Sequence, residues 1–249
     1  MEIVGKGFLA RHLRAIAHRH ADVVALAAGV SWAADTSDTA FGRETALVRD
    51  TAVRCRETGR TLLFFSTSSA AVYGADRPGR ESDPAVPHTP YGDHKLALER
   101  LLRESGTAHL VLRLSHVVGP GQPPHQLLPS LTRLVRAGGP VRVQRGATRD
   151  LIGVRDAVTL IDALLSRGER GGTVNLASGH AVPVGDIVDH LERRIGVAAR
   201  REYIAGGAAH LVSVERLRAL LPGQVAALGF DAGYHRRVID SFLAERQPA

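Results

Sequence analysis

The chain has 249 residues, and at roughly 150 residues per domain that length allows one to two domains. A content of 44% hydrophobic and 23% charged residues is that of a globular protein, and the lone cysteine, Cys55, excludes an intrachain disulfide framework. The formal charge of +7 raises nucleic acid as a partner, but 30 of the 32 basic residues are arginines scattered along the chain and aromatics make up only 4%. Base-stacking material is scarce, and the charge reads as an Arg-for-Lys bias without a nucleic-acid partner.

In chain order, Glu2-Ile3-Val4 is a very short first strand, and Phe8 to His20 reads as a helix with Leu9, Leu13, Ile16 and Ala17 on one face. Asp22 to Ala28 is a buried strand, and a helix from about Asp38 to Thr58 is closed by Gly59. Thr61 to Ser66 is the next strand. Four prolines between Ala75 and Pro90 mark a loop, Tyr91 to Glu104 a helix, and His109 to Leu114 a strand. After Gly119 the composition shifts: a helix near Leu127 to Ala137, a short strand at Val141 to Val143, a helix near Val154 to Ser166, a strand at Thr173 to Leu176 and a helix from Val184 to Ile195. The tail from Arg201 holds one short strand and two helical stretches.

This alternation predicts an α/β protein with βαβ units around a parallel sheet. The composition shift sets a soft boundary between residues 1–119 and residues 120–249. No run of 18 apolar residues and no basic-then-apolar leader occurs, so membrane spanning and secretion are not expected and a cytoplasmic setting is.

Three places carry chemistry. Gly5-Lys6-Gly7-Phe8-Leu9-Ala10 lies between the first strand and its helix, where glycines let backbone approach a pyrophosphate and Lys6 adds a cation. Tyr91 and Lys95 stand four apart on one helix, so their side chains share a face. An ammonium beside a phenol lowers the phenol's pKa and makes it a usable acid. The third place is Ser66 to Gly74, a hydroxyl-rich stretch directly after a strand, where a parallel sheet lines its ligand crevice. Ser66 and Thr67 read as a polar turn.

Taken together, these residues resemble the extended short-chain dehydrogenase/reductases that act on nucleotide sugars, the NAD-dependent epimerase/dehydratase family. The resemblance covers nearly the whole chain and implies a Rossmann-like, doubly wound parallel sheet with its N-terminal half abbreviated, residues 1–119 as the dinucleotide-binding part and residues 120–249 mostly as a small substrate-binding lobe interleaved with it. It implies catalytic roles for Ser69, Tyr91 and Lys95, and cofactor contacts from Gly5, Lys6, Gly7, Phe8, Leu9, Ala27, Ala28, Tyr91, Lys95 and Ser115. Leu112 to Gln122 resembles the segment of cofactor and sugar-nucleotide contacts. Arg149-Asp150-Leu151-Ile152-Gly153-Val154-Arg155-Asp156 is similar to a stretch whose Arg reaches the substrate diphosphate. The substrate contacts implied are Ser69, His116 and Arg149; no metal is implied.

The departures from the family carry information too. Ala70 and Ala71 stand where the family's dehydratases place an acidic pair, which disfavours dehydration. Glu44 falls near the position of an Asn that supports the Tyr–Lys pair. A strand, helix and strand are missing between His20 and Asp22, and with them the acid that binds the adenosine ribose. With Lys6 or Arg11 nearby, NADP(H) is favoured and NAD(H) is the alternative. His88 and His94 read as surface residues, Cys55 as core or half-buried, and Trp32 as a wall of the substrate pocket or ordinary packing.

The function implied is reduction of a keto group on a nucleotide-linked deoxysugar by a dTDP-4-keto-6-deoxyhexose 4-ketoreductase, with antibiotic-sugar biosynthesis as its setting. A sugar epimerase is the alternative, and a non-catalytic dinucleotide-binding protein the second. A homodimer through the helices near 38–58 and 91–104 is a further implication.

Overall fold

The structure is a computed structural model and describes residues 1–30, 37–68, 72–73, 77–87 and 89–245. Ser69, Ala70, Ala71, His88 and Trp32, singled out above, lie outside the described residues.

Five parallel strands form the main sheet: β1 (Glu2–Val4), β2 (Val23–Leu26), β3 (Thr61–Thr67), β4 (His109–Leu114) and β8 (Gly172–Leu176), in the order β1-β2-β3-β4-β8. Every residue of β2 and β3 is buried, as expected of strands covered on both faces. Successive side chains alternate between the faces. Val23, Ala25, Leu63, Phe65, Leu110 and Leu112 pack toward α1 (Phe8–Leu13) and α5 (Val154–Ser166). Val24, Leu26, Leu62, Phe64 and Val111 pack against Val48, Ala52 and Cys55 of α2 (Asp38–Glu57) and Leu98 and Leu102 of α3 (Pro90–Glu104). Helices on both faces of a parallel sheet make this a doubly wound α/β fold. Cys55 is fully buried in the α2 layer.

Local signals set the helix starts. Ser37 caps α2 by accepting from the Ala40 N–H at 3.2 Å. Thr89 caps α3 by accepting from the Gly92 N–H at 3.1 Å, with Pro90 in the first turn. That start places Tyr91 and Lys95 on the first turns of α3, at the C-terminal ends of β1 to β4.

The sheet steps from β1 to β2 to β3 to β4 in one direction, yet α1 lies on one face and α2 and α3 on the other. The β1-α1-β2 connection is therefore of the opposite hand to the two that follow, although parallel crossovers almost always share one hand. Only the segment from Gly5 to Asp22 joins these strands, which is the deletion expected near residue 21.

The expected helix to His20 is corrected: α1 ends at Leu13 and continues as a 3₁₀ segment, Arg14–Arg19. In that tighter helix residues three apart eclipse, so Leu13 and Ile16 both face the core.

Beyond Gly119 the chain forms a second cluster. Its core joins α4 (Leu127–Arg136), α6 (Val184–Ile195) and α9 (Tyr234–Ala244) through Leu128, Val135, Ile187, Leu191, Ile239 and Phe242. Two small sheets accompany it, β5 (His116–Val118), β7 (Thr148–Gly153) and β9 (Ala181–Pro183) in one, and β6 (Val141–Gln144) with β10 (Arg201–Ile204) in the other. The strands β5, β7 and β9 were not read from the sequence. Two are only three residues long, and β7 is embedded in a charged motif, so none carries a clear period. The tail holds three helices, not two: α7 (Glu215–Leu220), α8 (Pro222–Leu228) and α9. Through α5 and β8 the chain re-enters the main sheet.

A buried polar network ties the ends of the central strands together. Arg113 on β4 forks onto Glu99 of α3 at 3.0 and 2.7 Å, and donates to the Tyr73 hydroxyl at 2.6 Å. Tyr73 donates to Asn175 on β8 at 2.8 Å, and Ser66 on β3 donates to Glu99 at 2.5 Å. Removing one member of a buried charge pair strands the other. Glu99→Ala is expected to lower unfolding free energy in urea by about 3–5 kcal/mol. Adding Arg113→Met should restore part of that loss, because no buried charge is then left without a partner.

Candidate active site

A cavity of about 590 Å³ opens at the C-terminal ends of β1 to β4. On one side it is lined by Lys6, Gly7, Phe8 and Leu9, and beneath by Ala27, Ala28 and Phe65. Tyr91, Lys95, Ser115, His116, Gln122 and His210 close the other side. Most residues proposed from the sequence for a cofactor therefore share one cavity. Arg149 does not line it: its guanidinium donates to the carbonyls of Thr148 at 2.7 Å and Ala208 at 3.3 Å.

The glycine loop is shaped by two different constraints. Gly5 has φ of +133°, and a Cβ there would stand 2.3 Å from the Ala27 carbonyl oxygen, so only glycine fits against β2. At Gly7 a Cβ would meet nothing within 4 Å. The backbone there is open to a ligand, a cradle a larger side chain would fill. Arg11 is exposed, with one of its donors engaged. Its guanidinium donates to the Gly121 carbonyl at 2.8 Å, and His12 contacts the Pro120 carbonyl at 3.1 Å, fastening α1 to the loop before α4.

The Tyr91–Lys95 pair differs most from its expected chemistry. Lys95 Nζ lies 5.7 Å from the centre of the Tyr91 ring and 5.5 Å from that of Phe64. Its ammonium donates to Glu44 Oε1 at 2.6 Å, with the two side chains only 5% and 1% exposed. The other oxygen, Glu44 Oε2, is 2.8 Å from His94 Nε2, and Phe41 stacks on the His94 ring at 4.2 Å. His94 is thus buried, not a surface residue, because α2 packs directly over it. Burial, and then the negative charge of Glu44, push the Tyr91 phenol up from its ordinary value. The expected lowering by Lys95 is reversed. Burial lowers Lys95 while Glu44 draws it back up.

Glu44 reaches this position because of Gly29, whose φ is +118° and whose Cβ would clash with Glu44 Oε1 at 2.2 Å. Sequence reasoning placed Glu44 near the pair but missed Gly29 and His94. The available signal was an acid and a glycine, each facing an interior that the strand and helix patterns already defined.

At the far end of the cavity two histidines meet edge to face, His116 and His210, with ring centres 5.5 Å apart. The Asp150 backbone N–H donates to His210 Nδ1 at 3.4 Å, so Nε2 carries the proton and donates to the Ser68 carbonyl at 2.5 Å. His210 thereby fastens the end of β3 to β7. Burial holds it down at about 4, and His116 is lowered by burial and by the charge of nearby Arg149. Asp150 accepts the backbone N–H groups of Ser178, Gly179 and His180 at 2.7–3.0 Å, and burial pushes it up to about 6.

A model of the family described as "NAD dependent epimerase/dehydratase family" matches residues 9–177. The UDP-glucose 4-epimerase of Azospirillum brasilense is 32% identical over 169 residues, which are 57% of this chain and 48% of that protein. The dTDP-6-deoxy-L-talose 4-dehydrogenase (NAD(P)(+)) of Kitasatospora kifunensis is 35% identical over 129 residues, 47% of this chain and 41% of the relative. The chain therefore spans about half the length of the curated relatives it matches. In fold it is similar to RMD from Pseudomonas aeruginosa, solved with NADPH, at a TM-score of 0.77 and 20% identity, covering 97% of this chain and 96% of the other.

A histidine held neutral in the native state takes up a proton on unfolding below its ordinary pKa. His210 should therefore cost the folded state stability as pH falls from about 6.5 toward 4, up to about 3 kcal/mol. Asp150, shifted the other way, opposes this over the same range. The difference between wild type and His210→Gln isolates the histidine. Urea unfolding at pH 7 and pH 4.5 should show a smaller acid loss in the variant.

Proposed function

The chain belongs to the NAD dependent epimerase/dehydratase family, and from that premise we propose that it reduces a keto group on a nucleotide-linked sugar. A 4-keto-6-deoxyhexose carried on dTDP is the substrate we favour, with NADP(H) favoured over NAD(H) as cofactor. Small Ala27 and Ala28, the open backbone at Gly7 and the cavity they line fit a nicotinamide nucleotide. When bound, that cofactor supplies hydride to the ketone carbon.

The chain's own residues supply the rest. Tyr91 gives its phenolic proton to the oxygen as negative charge develops there. Lys95 stands beneath it as the local cation, and Ser69 would donate a hydrogen bond to the same oxygen. His116 stands at the substrate end of the cavity, where it and Ser115 would orient the sugar nucleotide. Arg149, half-buried and tied to two carbonyls, would reach a diphosphate only after releasing them. Residues 120–249 supply most of the substrate side in this reading.

The observation that carries the reading toward reduction is Glu44 on Lys95. Burial, with the Glu44 charge added to it, raises the phenol and favours its protonated state, the one that delivers a proton to a forming alkoxide. Oxidation of a sugar hydroxyl, the first half of an epimerisation, needs the phenolate. Epimerisation remains the second reading, supported by relatives named as UDP-glucose 4-epimerases.

Oxidation of NADPH and NADH with a panel of nucleotide-linked 4-keto and 3-keto sugars tests the proposal. Turnover with a ketosugar, lost by about 10²–10⁴-fold in Tyr91→Phe, is the expected result. Conversion of a UDP-hexose to its 4-epimer without added cofactor would overturn it in favour of the second reading. In Glu44→Gln the alkaline fall of the reduction rate should move to lower pH, since the charge that raises Tyr91 is gone.

A further inference from the structure

The main sheet and the cavity end at the same line. In the doubly wound fold a dinucleotide lies across the point where strand order reverses, one mononucleotide on each half of the sheet. Here the order β1-β2-β3-β4-β8 runs in one direction without reversal, and among the described residues no strand flanks β1 on its outer side. The cavity lining takes Lys6 to Leu9 from the β1–α1 turn and no described residue between Ala10 and Asp22. Half of the surface that a dinucleotide ordinarily covers is replaced by a sheet edge.

The turn and helix that follow β1 carry charge of a single sign. From Lys6 to His20 the sequence has no acidic residue, and Lys6 and Arg11 are exposed at the mouth of the cavity and one turn beyond it. Arg11 spends one donor on Gly121, leaving others to face solvent. Such a surface attracts phosphate, and exposed charge of this kind is weakened by salt.

We propose that this protein recognises a nicotinamide cofactor through its mononucleotide half alone, with the adenylate half outside on the basic turn and helix after β1. The proposal rests on the nicotinamide-dependent reading above, and deepens it by naming the part of the cofactor that is read. Affinity then resides in the nicotinamide, its ribose and the adjacent phosphate. The adenosine end adds only what Lys6 and Arg11 gain from its phosphates.

The test is equilibrium binding to the full chain without any sugar, followed by the emission of the reduced nicotinamide. Reduced nicotinamide mononucleotide, NADH and NADPH are titrated at low and at high salt. The mononucleotide and NADH are expected to bind within about tenfold of one another. NADPH should bind several-fold tighter than NADH at low salt, and that margin should vanish at high salt and in Lys6→Gln. NADH binding about 100-fold or more tighter than the mononucleotide would overturn the proposal, because an adenosine pocket would then exist. Binding of none of the three would overturn both this proposal and the reductase reading. Matched binding of all three with no turnover of any ketosugar would support the proposal and sink the reductase reading alone.

Discussion

An ammonium placed in a protein interior must be met by opposite charge, or it loses its proton. Lys95 is such a group, and the carboxylate that meets it comes from a different helix, 51 residues earlier in the chain. Much of the site follows from that requirement. α2 must lie close over α3 to deliver Glu44, Gly29 must be a glycine to admit it, and His94 must turn inward to occupy the second carboxylate oxygen. The phenol of Tyr91 is therefore buried beside a lysine already paired with Glu44, not beside a bare cation, and burial together with the Glu44 charge raises it.

What could be read from the chain alone divides along physical lines. Tyr91 and Lys95 were legible because helix geometry makes a spacing of four a statement about one face. The glycine loop was legible from its place between a strand and a helix, and the missing strands from the lack of room between His20 and Asp22. The β2 and β3 strands announced themselves as unbroken apolar runs, which is how doubly covered strands read. Glu44, Gly29 and His94 resist this reading, since their meeting depends on how α2 packs against α3. No local period encodes that contact. The direction of the Tyr91 shift turns on burial, which no spacing reveals: the lysine is visible at i+4 and Glu44 falls near the pair, but the depth at which the phenol sits does not show in the sequence. Arg149 is a motif residue whose guanidinium is held by two backbone carbonyls, a contact the motif does not announce.

Polar fasteners join the small lobe to the main sheet beside an apolar cluster that carries Ile152, Val212 and Val214 onto the sheet and α5. Asp150 gathers three backbone N–H groups from the turn after β8, and His210 links β7 to the end of β3. Each is satisfied on both sides, so each fixes a distance. These distances hold His116 and Ser115 opposite Tyr91 across the cavity, which is the geometry any chemistry there would use.

The reversed hand of the β1-α1-β2 connection bears on the order in which the molecule assembles. Crossovers of the usual hand follow from strand twist, so β2-α2-β3-α3-β4 can form as a locally guided unit. β1 and α1 have no such guidance. They are held on the sheet by three paired residues of β1, the Val4 carbonyl bonded to Ala27, Glu2 bridged to Arg54 and Arg60, and Leu13 and Ile16 packed on the core. An edge attached in that way would be expected to open before the centre of the sheet, with its amides exchanging ahead of those of β3 and β4. The same edge carries Gly5 and Gly7. A ligand resting on Gly7 and Ala28 would therefore do more than fill a cavity: it would staple the edge strand to the sheet, so that occupancy and completion of the fold become one event.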